Sequence, residues 1–379
     1  MQVRFYGITG SATVPLRIMA RNRFYFQLLD SLLEIASHPI CYQGNRMRWH
    51  IAPKVTEILA RGAASEGIDR EEALTLMALP LHSTESYALL ATADRLSRES
   101  FGRKAENHFH IGLNVAPCPI NCRFCSLARS AGIFAESVEY DEARIVSWAL
   151  QAEKQGADAL NLMTTGNFPF DRLLAIGRLL QQTVRTPLVA NTCDIDHRQG
   201  EALLAAGFVG AYHALRLGEG HDTPLPPERR IRTIQVLKAV GLLWMNCVEP
   251  VGPEHRAEEI VDLMLLARRY GAVYSGVMRR INFPGSPLAS HGMISELEMA
   301  RLVAVSRLVM GDTAKAHCTH EPNSIALMAG ANLFFPEVGS SPRDNCVDTA
   351  AGRGADVARC QAMQRELHWR PELSSNCFK

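Results

Sequence analysis

From residue 107 onward, short apolar runs alternate with stretches in which apolar residues recur every three to four positions. The runs lie at 108–115, 158–164, 187–191, 208–213, 242–249, 273–281, 314–318 and 332–336, and each has the length of a β-strand. Between them the periodicity predicts helices at roughly 141–155, 170–184, 197–206, 227–240, 255–270, 294–310 and 322–330. Parallel neighbours need a crossover connection, so strand–helix alternation implies a parallel sheet covered by helices. Eight strands in about 230 residues predict an α/β chain closed as a (β/α)8 TIM-type barrel rather than an open sheet.

The first part of the chain has a different pattern. Residues 16–37 show helical periodicity through Leu16, Ile18, Met19, Phe24, Phe26, Leu28, Leu29, Leu32, Leu33 and Ile35, and a polar loop follows near Gln43. Helical spacing resumes from Val55 to Phe101, with Asp69 placed as an N-cap before Arg70, Glu71 and Glu72. Residues 1–106 are therefore read as an N-terminal helical extension, 107–337 as the barrel and 338–379 as a polar C-terminal tail holding Cys346, Cys360 and Cys377.

Composition narrows the function classes. The chain has 379 residues, 47% hydrophobic and 21% charged, the balance of a globular protein with a large core. A formal charge of +1 offers no field for nucleic acid or a membrane surface. No run approaches the ~18 apolar residues of a spanning helix, and the first residues lack the apolar stretch of an export signal. These features lead us to expect a cytoplasmic protein. Ten cysteines without an export signal argue for metal or redox chemistry rather than disulfides.

The chemistry-bearing residues fall at the predicted C-terminal strand ends, where barrels of this kind place their active sites. They are Thr164-Thr165-Gly166, Asn191-Thr192-Cys193, His213, Cys247-Val248-Glu249, Arg279-Arg280 and His317-Cys318-Thr319-His320. After the first strand, the stretch APCPINCRFCSL sets Cys118, Cys122 and Cys125 in a C-x3-C-x2-C pattern. Pro117, Pro119 and Asn121 suit a turn-rich wrap that aims three sulfurs at one centre. Zinc normally takes four ligands, and His108 and His110 just upstream keep that alternative open. A [4Fe–4S] cube on three thiolates leaves one iron free to bind a small molecule.

Cys118, Cys122 and Cys125, with Phe124 before the third cysteine, resemble the signature of the radical S-adenosylmethionine (radical SAM) superfamily. The likeness extends over roughly 55–336. Pro284-Gly285-Ser286-Pro287-Leu288 and MAGANLFF at 328–335 are similar to the branch containing biotin synthase, the HydE-type hydrogenase maturase and methylornithine synthase. This resemblance implies a [4Fe–4S] cluster whose open iron binds S-adenosylmethionine, and an electron donor of the flavodoxin or ferredoxin type. It also implies a 5′-deoxyadenosyl radical that abstracts hydrogen from a small-molecule substrate. Arg230 matches the arginine that holds the S-adenosylmethionine carboxylate. Arg216 matches a second arginine, with Glu219 one residue further along than in the family pattern. Phe124 would lie against adenine. Thr164, Thr165 and Gly166 replace a Gly-Gly-Glu-like element.

Biotin synthase carries a second iron–sulfur cluster. Cys193 matches one of its ligand positions, Cys247 lies two residues beyond another on the same strand face, and Cys318 lies near a third, with His317 or His320 as a nitrogen donor. The competing reading is three separate buried thiols. His213, Glu249, Arg279, Arg280 and His320 form the candidate substrate wall, although strand alternation lets only one of the two arginines face inward. Two enzymatic outcomes stand open. One is sulfur insertion or another C–H functionalisation, as in biotin synthase; the other is carbon-skeleton rearrangement or fragmentation without a second cluster. A non-catalytic iron–sulfur or zinc scaffold is the reading from another class.

Overall fold

A computed structural model describes residues 51–115, 117–349 and 354–379, together with the backbone of 5–7 and 10–12. The helical periodicity over 16–37 and the polar loop near Gln43 lie outside the described residues. Strands β1 (Phe5–Gly7) and β2 (Gly10–Ala12) pair antiparallel, with Phe5 opposite Ala12.

The main unit begins with helices α1 (Pro53–Ala63), α2 (Arg70–Met77) and α3 (Thr84–Ser100). Asp69 caps α2 in a reciprocal box, its carboxylate accepting from the Glu72 amide while Glu72 accepts from the Asp69 amide. Strand β3 (Glu106–Gly112) then starts an alternating series. A short antiparallel pair follows, β4 (Asn114–Val115) with β5 (Val138–Glu139). Next come α4 (Glu142–Gln155), β6 (Ala159–Met163), α5 (Phe170–Thr183), β7 (Leu188–Asn191), α6 (His197–Ala205), β8 (Phe208–Tyr212) and α7 (Pro227–Val240). The series ends with β9 (Leu243–Met245), β10 (Val248–Val251), α8 (Ala257–Tyr270), β11 (Tyr274–Arg279), α9 (Glu296–Met310), β12 (Ala316–Cys318), α10 (Ser324–Leu327) and β13 (Leu333–Phe334). After it lie β14 (Glu337–Val338) and α11 (Val357–Glu366).

The strands pair in the order β10-β11-β12-β13-β3-β6-β7-β8-β9. The two ends of that order are consecutive in the chain, separated only by Asn246 and Cys247. They are one strand, the fifth, broken in the middle. The Val273 amide donates to Trp244 O at 2.8 Å and the Asn246 amide to Tyr274 O at 3.1 Å, so the sixth strand borders both halves and the ring closes. The result is an eight-stranded parallel barrel wrapped in helices, the expected (β/α)8 architecture. The first predicted strand ends early. At Leu113 the chain leaves the barrel ladder, and Asn114 and Val115 pair instead with Glu139 and Val138.

Side-chain alternation sorts the strands into an inner and an outer face. Phe109, Ile111, Leu160, Leu162, Leu188 and Ala190 pack outward among helix residues such as Ile145, Leu173 and Leu203. Ala159, Val189, Tyr212, Met245, Tyr274 and Phe335 fill the interior. Helix α9 is buried nearly all round from Met299 to Met310 because it sits between the barrel and the helices before it. Its Arg307 donates to Ser97 Oγ at 2.9 Å, Ser100 Oγ at 3.0 Å and Gly311 O at 2.6 Å, tying α3 to the barrel wall. Among the described residues no helix is long and apolar enough to cross a membrane.

Fully buried His317 places Nε2 2.9 Å from Val303 O. Burial, aided by the nearby Arg307 cation, pushes its pKa down to about 3, while the unfolded chain keeps the usual value near 6.5. Above pH 6.5 the group is neutral in both states and contributes no pH dependence. Below it the unfolded state binds an extra proton, so stability falls by about 1.4 kcal/mol per pH unit until about pH 3. His317→Gln keeps a donor and removes this titration. Urea denaturation at pH 6 and pH 4 should show the smaller loss in the variant; equal losses would contradict a buried neutral His317.

Candidate active site

The loop after the first strand is fixed from several sides. Cys118 N donates to Leu127 O at 2.8 Å, Arg129 N to Cys118 O at 3.0 Å and Ser126 N to Pro342 O at 2.8 Å. Asn121 takes a left-handed conformation (φ 56°), and its side chain accepts from Ser130 N at 2.9 Å. Asparagine tolerates that region better than most residues. Arg123 spans to Asp222, with Nη1 2.8 Å from Oδ1. The turn-rich wrap thus faces the barrel mouth, where Cys118, Cys122, Phe124 and Cys125 line a cavity that is partly open to solvent.

Burial pushes the free Cys122 and Cys125 thiols up to about 11 and about 12, so loading a metal centre must displace protons. Arg216 opposes that shift at both positions. The Gly166 amide approaches Cys118 Sγ at 3.3 Å, a donor suited to a thiolate. A Cβ at position 166 would lie 2.5 Å from Ile120 Cδ1 and 3.2 Å from that sulfur, which explains glycine there. Three thiolates leave a fourth cluster position for a small ligand.

Thr164, Thr165 and Gly166 line the same cavity. Thr165 is held by Asn114, whose Oδ1 accepts from Thr165 N at 3.0 Å and whose Nδ2 donates to Thr165 Oγ1 at 2.7 Å. The opposite wall carries paired charges. Arg230 is buried, with Nε 3.0 Å from Glu219 Oε1 and Nη1 3.1 Å from Asp194 Oδ1. Arg216 Nε lies 3.3 Å from Glu249 Oε1, and its backbone amide donates to Glu219 Oε2 at 2.8 Å. Burial lowers the Arg216 pKa, but the Glu249 and Glu219 carboxylates outweigh it and hold the guanidinium above its usual range. Asp194 lies below the usual carboxylate range. Burial opposes this, while His213, Arg230 and Arg229 drive it. Sequence reading missed Asp194 as a site residue, although its place directly after Cys193 at a strand end was a usable signal.

The remaining site residues separate into several places. Glu249, Arg280 and His320 reach the cavity, as do His110, Tyr212 and Arg343. Arg280 is not a free fork, because it pairs with Glu254 and donates to Asn282 Oδ1, Leu288 O and Gly292 O. Arg279 turns outward, as alternation requires, and pairs with Glu321 and Glu296. His213 lies behind the wall, 3.4 Å from Asp194, so it supports Arg230 indirectly. Cys193 faces the cavity on the side of Cys118, Arg216 and Arg230. Cys247 and Cys318 are fully buried and interact with each other. Cys247 also comes within 4.8 Å of Glu249 and His320. The segment after 338 contributes Pro342 and Arg343 to the cavity. Within that segment Cys360 packs beside Trp369 and Phe334, while Cys346 Sγ lies 3.3 Å from Asp348 O.

No protein-family model matches the chain. In sequence it is similar to the biotin synthase of Geobacter metallireducens, 28% identical over 283 residues that span 70% of this chain and 83% of that protein. In structure it is similar to the FeFe-hydrogenase maturase HydG from Carboxydothermus hydrogenoformans. That likeness has a TM-score of 0.71 at 14% identity and spans 93% of this chain and 85% of the other. Methylornithine synthase gives a TM-score of 0.70 at 13% identity, over 83% of this chain and 97% of that one.

Asp194→Asn keeps the shape of the group that holds Arg230 but removes its charge. Binding of S-adenosylmethionine, measured by equilibrium dialysis, should weaken about tenfold, equivalent to about 1.4 kcal/mol, with iron content unchanged. Unaltered affinity would mean that the Asp194–Arg230 pair does not shape the ligand site.

Proposed function

We propose that this chain, a member of the radical SAM superfamily, removes a hydrogen atom from a small-molecule substrate held in the barrel mouth. The observation that carries this reading is the convergence of three loop thiols and two carboxylate-paired arginines on one cavity. A [4Fe–4S] cluster on Cys118, Cys122 and Cys125 supplies, when bound, the electron that splits S-adenosylmethionine into methionine and the 5′-deoxyadenosyl radical.

The protein's own residues bind, orient and shield. Arg230 spends two donors on Asp194 and Glu219 and keeps others for an incoming carboxylate. A wall that sets Glu249 beside Arg216 and Arg230 suits the zwitterionic amino-acid end of S-adenosylmethionine, with the carboxylate accepting from its ammonium. Phe124 offers a ring face to adenine. Thr164 and Thr165 add hydroxyl and backbone groups along the same side. Ile120, Leu127, Met163, Met278 and Ile281 supply the apolar lining that keeps water away from a reactive carbon radical. The electron comes from a flavodoxin- or ferredoxin-type donor.

Of the two enzymatic outcomes, one observation favours chemistry without a second cluster. Cys193 lines the cavity, whereas Cys247 and Cys318 are fully buried and are not among its lining residues, which supports a reading without a shared second centre. Anaerobic reconstitution should then give about four irons per chain, and six or more would instead establish a second cluster.

The radical reading itself is tested by incubating reduced, iron-loaded protein with S-adenosylmethionine. 5′-Deoxyadenosine should form, and Cys122→Ala should reduce it to background. Absence of the product from fully loaded, reduced protein would leave only the metal-binding scaffold.

A further inference from the structure

We infer that the barrel floor, at the end opposite the mouth, binds one divalent transition-metal ion of the zinc type on Glu106, His108 and Cys377. Glu106, His108 and His110 alternate along β3 and form a column down the barrel interior. His110 reaches the mouth cavity, His108 sits in the middle against Tyr274, and Glu106 begins the strand at the floor. The segment after α11 plugs the floor from below. The Lys104 ammonium donates to Pro371 O at 2.9 Å, Asn376 Nδ2 donates to Phe101 O at 3.0 Å, and Asn376 N donates to Glu106 Oε1 at 2.7 Å. Cys377 then enters the interior among Tyr274, Leu333 and Phe335.

One ligand atom each from Glu106, His108 and Cys377 lies within 4.8 Å of the others. The three residues are 0%, 0% and 4% exposed, so bulk solvent does not reach them. Neither ring nitrogen of His108 has a hydrogen-bond partner, and Glu106 Oε2 has none either. His108 Nε2 approaches that oxygen only to 3.5 Å, beyond ordinary hydrogen-bond length. Buried polar groups are almost always satisfied, and a cation between the imidazole, the carboxylate and the adjacent thiol would satisfy all three at once.

The donor set identifies the ion. Thiolate, imidazole and carboxylate together are the ligands of zinc and similar borderline metals, whereas magnesium and calcium take oxygen. The charges also agree. The Glu106 carboxylate and a Cys377 thiolate balance a dication, and the neighbouring Lys104 is already neutralised by Asp158 at 2.7 Å. The rings of Tyr274 and Phe378 enclose His108 at 5.2 and 5.5 Å between centroids. The ion would therefore be structural, clamping residues 376–378 to the first barrel strand.

The test uses the full-length chain carrying Cys118→Ser, Cys122→Ser and Cys125→Ser, so that the loop thiols cannot compete. It is titrated anaerobically with Co2+ as a spectroscopic probe. A thiolate-to-cobalt charge-transfer band should appear, and Co2+ should raise the melting temperature. Adding Cys377→Ser should remove about one equivalent of bound Co2+ per chain, with the matching band intensity and the thermal shift. Cys247, Glu249 and His320 are present in both proteins and cancel in the comparison. His108→Gln gives the same loss by an independent route should Cys377→Ser fold poorly. Equal stoichiometry and equal band intensity with and without Cys377 would overturn the proposal. This result is read without cluster or S-adenosylmethionine, so it stands or falls separately from the radical reading.

Discussion

Closure of the strand ring across the broken fifth strand is the constraint from which the site follows. The sixth strand bonds to Trp244 and Asn246 before and within the break, and to Val248 and Val251 after it. A continuous ladder around a ring brings every C-terminal strand end to one mouth. Residues as far apart in sequence as Cys118, Thr165, Cys193, Arg230 and Glu249 then face one cavity. An open sheet would string the same residues along an edge, and three thiols on one loop would meet no arginine wall. The break itself leaves Cys247 and Cys318 beneath the mouth rather than in it, with Cys318 Sγ against Asn246 O at 3.7 Å.

The second determinant is the pairing of buried charge. Removing Arg230, Asp194 and Glu219 from water is costly unless they satisfy one another, and a buried pair of this kind contributes less to stability than to fixed geometry. Here the pairing holds a cation at the cavity surface before any ligand arrives. That is the arrangement in which electrostatic recognition needs least reorganisation. Breaking one partner strands the other, at about 3–5 kcal/mol for a fully buried pair. This makes Asp194 and Glu219 as much a part of the site as the arginine they hold.

Much of this was legible in one dimension, and the failures have physical causes. Helix α7 begins and ends where apolar spacing placed it, at 227 and 240, because its buried residues Ile234 and Leu237 repeat at the helical period. The loop thiols were legible because their chemistry depends on local spacing. The break at Asn246 and Cys247 was not, since one asparagine within an otherwise apolar run carries no signal of a break; only the partners across the ladder differ. Asp194 was missed because its meaning lies in Arg230, thirty-six positions away. Arg279 and Arg280 read alike until the strand assigned them opposite faces. The stretch after 338 read as polar because its few apolar anchors, Trp369, Cys360 and Cys377, are widely spaced. Each is nonetheless buried, and together with Val357 they hold the stretch against the barrel.

The most direct measurement is the electron paramagnetic resonance spectrum of the reconstituted, reduced protein with and without S-adenosylmethionine. In the proposed arrangement of three protein thiolates and one open iron, the ligand binds the cluster itself, so the signal should change shape and g values on addition. The change should be lost in Arg230→Ala, which retains all three thiolates. A reduced-cluster spectrum that is the same with and without saturating S-adenosylmethionine would contradict the assignment of the fourth position.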